Sequence, residues 1–166
     1  NSWPFHAECQ PQMTLNEIVH AEHIVPELKA ANRWEAIDEL VDTLVSNRAI
    51  AKSARDAVID VVRTRENSMS TGIGYGIGIP HASTDLIENV VGALGRSKNG
   101  INFEALDNQP VTLVVLFLVP QGQFQKHLHT LANIARQLHN SEFRTALENA
   151  EDASSICQIL SQPVKQ

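Results

Sequence analysis

Ser70-Thr71-Gly72-Ile73-Gly74-Tyr75-Gly76-Ile77-Gly78-Ile79-Pro80-His81 alternates four glycines with four bulky residues and closes on Pro-His. In an extended backbone successive side chains point to opposite faces. Ile73, Tyr75, Ile77 and Ile79 then share one face, and the other carries only hydrogen. A bare face lets another surface approach the backbone closely. Pro80 fixes its own φ and offers no amide donor, which predicts the end of the strand there. His81 then stands at the lip of an open strand end, where another protein can meet it. The competing reading is a glycine-rich hairpin followed by a structural histidine, and the spacing alone leaves both open. Neither G-x-G-x-x-G nor G-x-x-x-x-G-K-[ST] occurs, so the glycines do not form a nucleotide-phosphate loop.

Outward from this stretch, helical and extended patterns alternate. Before it, Arg33 to Asn47 reads as an amphipathic helix with Trp34, Ile37, Val41, Leu44 and Val45 on one stripe. A second helix follows, capped by Ser53, with Asp56 at its N3 position and Ala54, Ala57, Val58, Val61 and Val62 on its apolar face. Arg63, Arg65 and Glu66 lie near its C-terminal end. After it, Val90 to Gly95 predicts a short strand, and Asn99-Gly100 a turn into Ile101-Asn102-Phe103. Val111 to Val119 is nearly all apolar and predicts a central strand buried on both faces, stopped by Pro120. Gln123 to His139 reads as a third helix, with closing helices over Glu142 to Ala150 and Ala153 to Leu160. These elements predict one α/β domain over residues 13–162. Asn1 to Gln12 has no period and reads as an upstream extension or a remnant of cloning, and residues 163–166 as a tail.

Composition narrows the partners. A chain of 166 residues with 43% hydrophobic content suits one domain with one sizeable core. A net charge of −6 argues against a nucleic-acid binder, which needs a basic patch. No apolar run approaches the ~20 residues of a membrane span, so no membrane insertion is expected. Cys9 and Cys157 lie far apart without ligand spacing, which suggests reduced thiols, a cytoplasmic protein and no zinc site.

The third helix carries a testable geometry. At 100° per residue, Phe124, Leu128, Leu131, Ala135 and Leu138 cluster within about 80° of arc and predict the core face. His127 falls about 60° from the centre of that stripe, at the rim between core and solvent, and His129 roughly 140° away, in water. Residues i and i+2 point apart on a helix, so the two cannot chelate one metal. On the residues alone, His127 is either a boundary histidine bonded to a carbonyl or a group facing a groove beside the core.

Taken together, Thr64-Arg65-Glu66, Ser70-Thr71-Gly72-Ile73-Gly74, Ile77-Gly78-Ile79-Pro80-His81 and His127-Leu128 resemble the enzyme IIA domain of the phosphoenolpyruvate-dependent sugar phosphotransferase system, mannitol/fructose type. The run Phe103 to Val111, the apolar strand to Pro120 and His127-Leu128-His129-Thr130-Leu131 resemble most closely its nitrogen-regulatory branch. The resemblance covers about Met13 to Leu160. One position departs from it: the family commonly has glycine after the active histidine, where this chain has Ala82.

The resemblance implies a mixed β-sheet flanked by helices. It implies that His81 accepts a phosphoryl group from a histidine phosphocarrier protein, with no metal or cofactor. Neutral imidazole offers a lone pair near physiological pH, its unperturbed pKa being ~6.5. Arg65 matches the family's arginine and would hold the phosphoryl oxygens in its planar fork. His127 matches the second histidine and would donate to the same oxygens. Thr71 would orient His81 through its hydroxyl, and Gly78, Ile79 and Pro80 would present a smooth apolar patch to partners. Two roles follow: a nitrogen-regulatory switch that binds a target protein according to its phosphorylation state, or a transport component that hands the group to a sugar-specific IIB domain. Arg65, His81 and His127 speak against a binding module that has lost phosphorylation. No G-x-S-x-G elbow and no clear carboxylate pair suggest a hydrolase.

Overall fold

The strand predicted to be central is the one on which the sheet is built. In the computed structural model, which describes residues 14–162, all but one residue of Val111–Pro120 are buried. The predicted segments 1–12 and 163–166 lie outside the described residues. In chain order the helices are α1 (Leu15–Ile18), α2 (Arg33–Ser46), α3 (Arg55–Ser68), α4 (Leu128–His139), α5 (Ser141–Asn149) and α6 (Ala153–Leu160). The strands are β1 (Ile24–Val25), β2 (Gly72–Gly74), β3 (Ile77–Gly78), β4 (His81–Thr84), β5 (Val91–Ile101) and β6 (Val111–Pro120). Among the described residues they form one six-stranded sheet in the order β1-β5-β6-β3-β2, with β4 also paired to β6. The sheet is mixed: β5 runs antiparallel to β6, while β3 and β4 run parallel to it.

Alternation along β6 divides the core in two. Val114, Leu116 and Leu118 pack with α2 and α3 on one side. Leu113, Val115, Phe117 and Val119 pack with α1, α4, α5 and α6 on the other. Burial on both faces explains a strand with scarcely a polar residue. Helix α2 matches its predicted span and is capped by Asn32, whose side chain accepts from the Glu35 amide at 3.0 Å.

Four expectations are corrected. The glycine stretch is a hairpin and not one strand: β2 and β3 pair antiparallel, and Tyr75 and Gly76 turn the chain with φ of 59° and 78°. Two successive positive φ values are the signature of a type I′ connection. Tyr75 is therefore 62% exposed, away from the buried Ile77 and Ile79. Asn99-Gly100 does not separate two strands as the predicted turn would. The strand continues to Ile101 through a register shift, and Gly100 (φ 83°) sits where a Cβ would lie 2.6 Å from the Pro110 Cβ. Ser53 does not cap α3. It lies in a 3-10 turn, Lys52–Ala54, ahead of the helix, and Ile59 takes the buried place expected of the exposed Ala57. The third helix begins at Leu128, after a 3-10 turn over Gln125–His127, and its buried residues are Thr130, Ile134 and Leu138.

Candidate functional site

Pro80 shapes the strand that carries His81. It has no amide to donate, so the ladder along β6 breaks after Gly78 and resumes at His81, opposite Phe117. The Pro80 carbonyl still accepts from the Phe117 amide at 3.0 Å, which holds the break close to the sheet. His81 begins β4 and is only 8% exposed, deeper than a strand lip. Its ring stacks on Phe124, with centroids 5.9 Å apart and planes 13° from parallel. Its Nδ1 lies 2.7 Å from the Ile79 carbonyl oxygen. A carbonyl only accepts, so Nδ1 carries the proton and Nε2 keeps the lone pair. Burial pushes the His81 pKa below 6.5. The Arg65 charge acts in the same direction, against the Ile79 bond and the Glu66 charge. Ala82 fits the departure from the resemblance without strain: it lies in β4 opposite Leu118, outside the left-handed region that would favour glycine.

His81 opens onto a groove of about 400 Å³ walled by the end of α3, the start of the hairpin, the loop before β6 and one side of α4. Arg65, Thr71, Ile79 and His81 line it, with Leu131, Ala132 and Ala135 opposite. Three large apolar side chains stand exposed at its edges: Met69 at 66%, Leu106 at 78% and Leu128 at 44%. Single exposed apolar residues are ordinary, whereas these three gather around one groove. The predicted patch of Gly78, Ile79 and Pro80 is buried and not a surface, and of the three only Ile79 lines the groove. Gly78 is needed there because a Cβ would meet the Phe103 ring at 2.8 Å.

The remaining predicted residues divide. Arg65 lies in the last turn of α3, half-buried, with Nη1 3.4 Å from the Met69 carbonyl, and its side chain lines the groove. The Thr71 hydroxyl does not orient His81. It donates to Glu66 Oε1 at 2.5 Å, and the Thr71 amide donates to Glu66 Oε2 at 2.9 Å. His127 is buried and not at the rim. Its ring meets the edge of Phe117 at 6.4 Å between centroids, and it is absent from the groove wall. Burial, then the Lys126 charge, pushes its pKa down. His129 is exposed, as its position on the helix predicts. Glu66, Phe124, Met69 and Leu106 were not singled out for the site by sequence reasoning. For Glu66 a signal existed: it continues the buried stripe Val58, Val62, where an acid needs a partner.

Fold and site together define an α/β phosphotransferase component. The chain belongs to the family described as phosphoenolpyruvate-dependent sugar phosphotransferase system, EIIA 2, whose model matches residues 17–162. A nitrogen regulatory protein of Bradyrhizobium diazoefficiens is 34% identical over 151 residues, covering 91% of this chain and 97% of that one. A fructose-specific EIIA component of Haloferax volcanii shows the same identity and coverage. The crystal structure of nitrogen regulatory protein IIA-Ntr from Neisseria meningitidis superposes with a TM-score of 0.79 at 27% identity, covering 88% of this chain and 98% of that one. No helix among the described residues is long and apolar enough to cross a membrane.

Proposed function

We propose that His81 is the phosphoryl acceptor of this EIIA domain and receives the group on Nε2 from a phosphohistidine of a cytoplasmic histidine phosphocarrier protein. The observation that carries the reading is the 2.7 Å bond from Nδ1–H to the Ile79 carbonyl, which leaves the Nε2 lone pair as the ring's free nucleophile beside Arg65. The new N–P bond forms at Nε2 as the N–P bond of the donor breaks, and its electron pair returns to the donor imidazole. No proton needs to move in this step, because Nδ1–H stays on Ile79. Transfer then depends on alignment and charge stabilisation. Arg65 supplies a planar fork to the phosphoryl oxygens. His127 supplies a second donor; its match to the family and its packing on Phe117, the register partner of His81, support that role. Phosphorylation adds ~1.5 to 2 negative charges at the floor of an apolar groove. A partner seated on Met69, Leu106 and Leu128 must desolvate that charge or supply cations to it. The domain therefore works as a nitrogen-regulatory switch whose target protein prefers the dephosphorylated form. The likeness to IIA-Ntr favours this role. Transfer to a sugar-specific IIB domain is the second reading, favoured by the fructose-specific relative.

Incubation with phosphoenolpyruvate, the first enzyme of the system and the phosphocarrier should give one acid-labile phosphoryl adduct by intact mass, lost in His81→Ala. Persistence of the adduct in that variant rejects the assignment. Calorimetric titration of a regulatory target against both forms separates the roles: equal affinities together with rapid transfer to a IIB protein favour transport.

A further inference from the structure

Arg33 opens α2, yet it is 9% exposed and its guanidinium reaches two carboxylates, one on α3 next to Arg65 and one in the loop that carries Leu106. Nη1 donates to Glu66 Oε2 at 3.2 Å and Nη2 to Glu104 Oε2 at 2.8 Å. The guanidinium carbon lies 4.3 Å from the centroid of the Trp34 ring, and Nε has no hydrogen-bond partner among the described residues. The fork is thus packed on one side and committed at both tips. Glu66 is buried and grips the amide and hydroxyl of Thr71 at the start of the glycine hairpin. Glu104 lies two residues before the exposed Leu106. Its backbone sits at φ 52°, a conformation that L residues seldom adopt, and its amide donates to Asn102 Oδ1 at 3.1 Å. The Leu106 amide in turn donates to the Gly72 carbonyl at 3.3 Å.

We propose that Arg33 is a positioning residue for partner docking: its forked guanidinium fixes the Leu106 lip of the groove relative to the floor that carries His81. The inference rests on the reading of His81 as an acceptor met by a phosphocarrier. A guanidinium suits the task because its donors diverge at fixed angles, whereas an ammonium is a single point that cannot span both carboxylates. Cutting the tether loosens the lip but leaves Arg65, His81 and His127 in place, so docking suffers and chemistry does not.

The test is steady-state transfer from the phosphorylated phosphocarrier to Arg33→Lys, Glu104→Asn and the double variant. Asparagine tolerates the left-handed backbone but is too short to reach Arg33. The Glu104 side chain is 69% exposed, so that variant keeps its fold. Each single change should raise KM for the phosphocarrier about three- to tenfold with kcat within about twofold, the size of one ion-pair tether. The double variant should be no worse than the poorer single one, because both cut the same link. An unchanged KM in Glu104→Asn, a matching fall in kcat, or additive losses would overturn the proposal. A wild-type protein that takes no phosphoryl group on His81 rejects the functional reading instead. Amide exchange at Leu106 then decides the tether by itself: faster exchange in Glu104→Asn keeps it, and unchanged exchange removes it.

Discussion

At the scale of single residues, the proposed site divides labour between one group that reacts and others that hold. Arg65→Ala should slow phosphoryl transfer by about two orders of magnitude, because one lost donor to a developing oxyanion costs on the order of 3 kcal/mol. Arg65→Lys should recover part of that, keeping the charge without the fork. His127→Ala should slow transfer as well, whereas the exposed His129→Ala should leave it unchanged; equal damage from both would sink the assignment of His127. Transfer should also depend on pH with a definite sign. The His81 pKa is held below 6.5, chiefly by burial, so the neutral ring predominates at neutral pH. A plot of transfer rate against pH should be flat there and fall only on acidification, as protonation occupies Nε2. That Arg65 and His81 belong to one place was legible in the sequence, because both fall in the quoted motifs, and they line the same groove. The true partner of Thr71 was not, since the Thr71–Glu66 contact exists only once α3 is laid against the hairpin.

At the scale of elements, the hairpin and α4 teach opposite lessons. Alternating glycines admit a strand or a hairpin, and local chemistry chose the turn: Gly74, Tyr75 and Gly76 all have positive φ. Tyr75 pays for its left-handed backbone with contacts further along the chain, its ring meeting His139 edge-on at 4.9 Å and Arg144 at 5.0 Å. Gly78→Ala should destabilise the domain by about 1–3 kcal/mol, by overpacking against Phe103. Gly76→Ala should cost about 1–2 kcal/mol, from φ alone. Urea midpoints of the two variants check both figures, and a neutral Gly78→Ala would remove the close-approach argument. Helix α4 was found but turned wrongly. The predicted stripe of Leu128, Leu131, Ala135 and Leu138 is offset by roughly 80° from the buried set Thr130, Ile134 and Leu138. Most of that stripe lines the groove, so hydrophobic periodicity blended the core face with the groove face. His127 precedes the helix, in the 3-10 turn, so the wheel does not place it, and it is buried.

At the scale of the whole molecule, the alternation of helical and extended patterns made the α/β architecture readable, and the apolar run from Val111 to Val119 its central strand. The order of strands was not readable, because β3 and β4 share one neighbour through the break at Pro80. A global property follows from three histidines. His23, His81 and His127 all have pKa values below 6.5, with burial the leading cause in each. Between the folded and unfolded pKa values the unfolded chain binds more protons, so stability rises with pH through that window. It is fully present above the unfolded value and is lost as pH falls below it. Urea unfolding should therefore show a lower midpoint at about pH 5.5 than at about pH 7.5. His23→Gln should reduce that difference by removing one of the three groups, and leave phosphoryl transfer intact, since His23 does not line the groove. A midpoint that rises on acidification contradicts the sign.

If His81 accepts the phosphoryl group as proposed, its bond to the Ile79 carbonyl also bears on what happens after the group has arrived. With the proton kept on Nδ1, the phosphorylated ring is cationic, and the fragment that departs in onward transfer is neutral imidazole. Without that proton it would depart as imidazolate, a far poorer leaving group. One backbone oxygen therefore keeps the step reversible. The carrier is charged without becoming a trap, and how quickly it discharges is left to whichever partner occupies the groove.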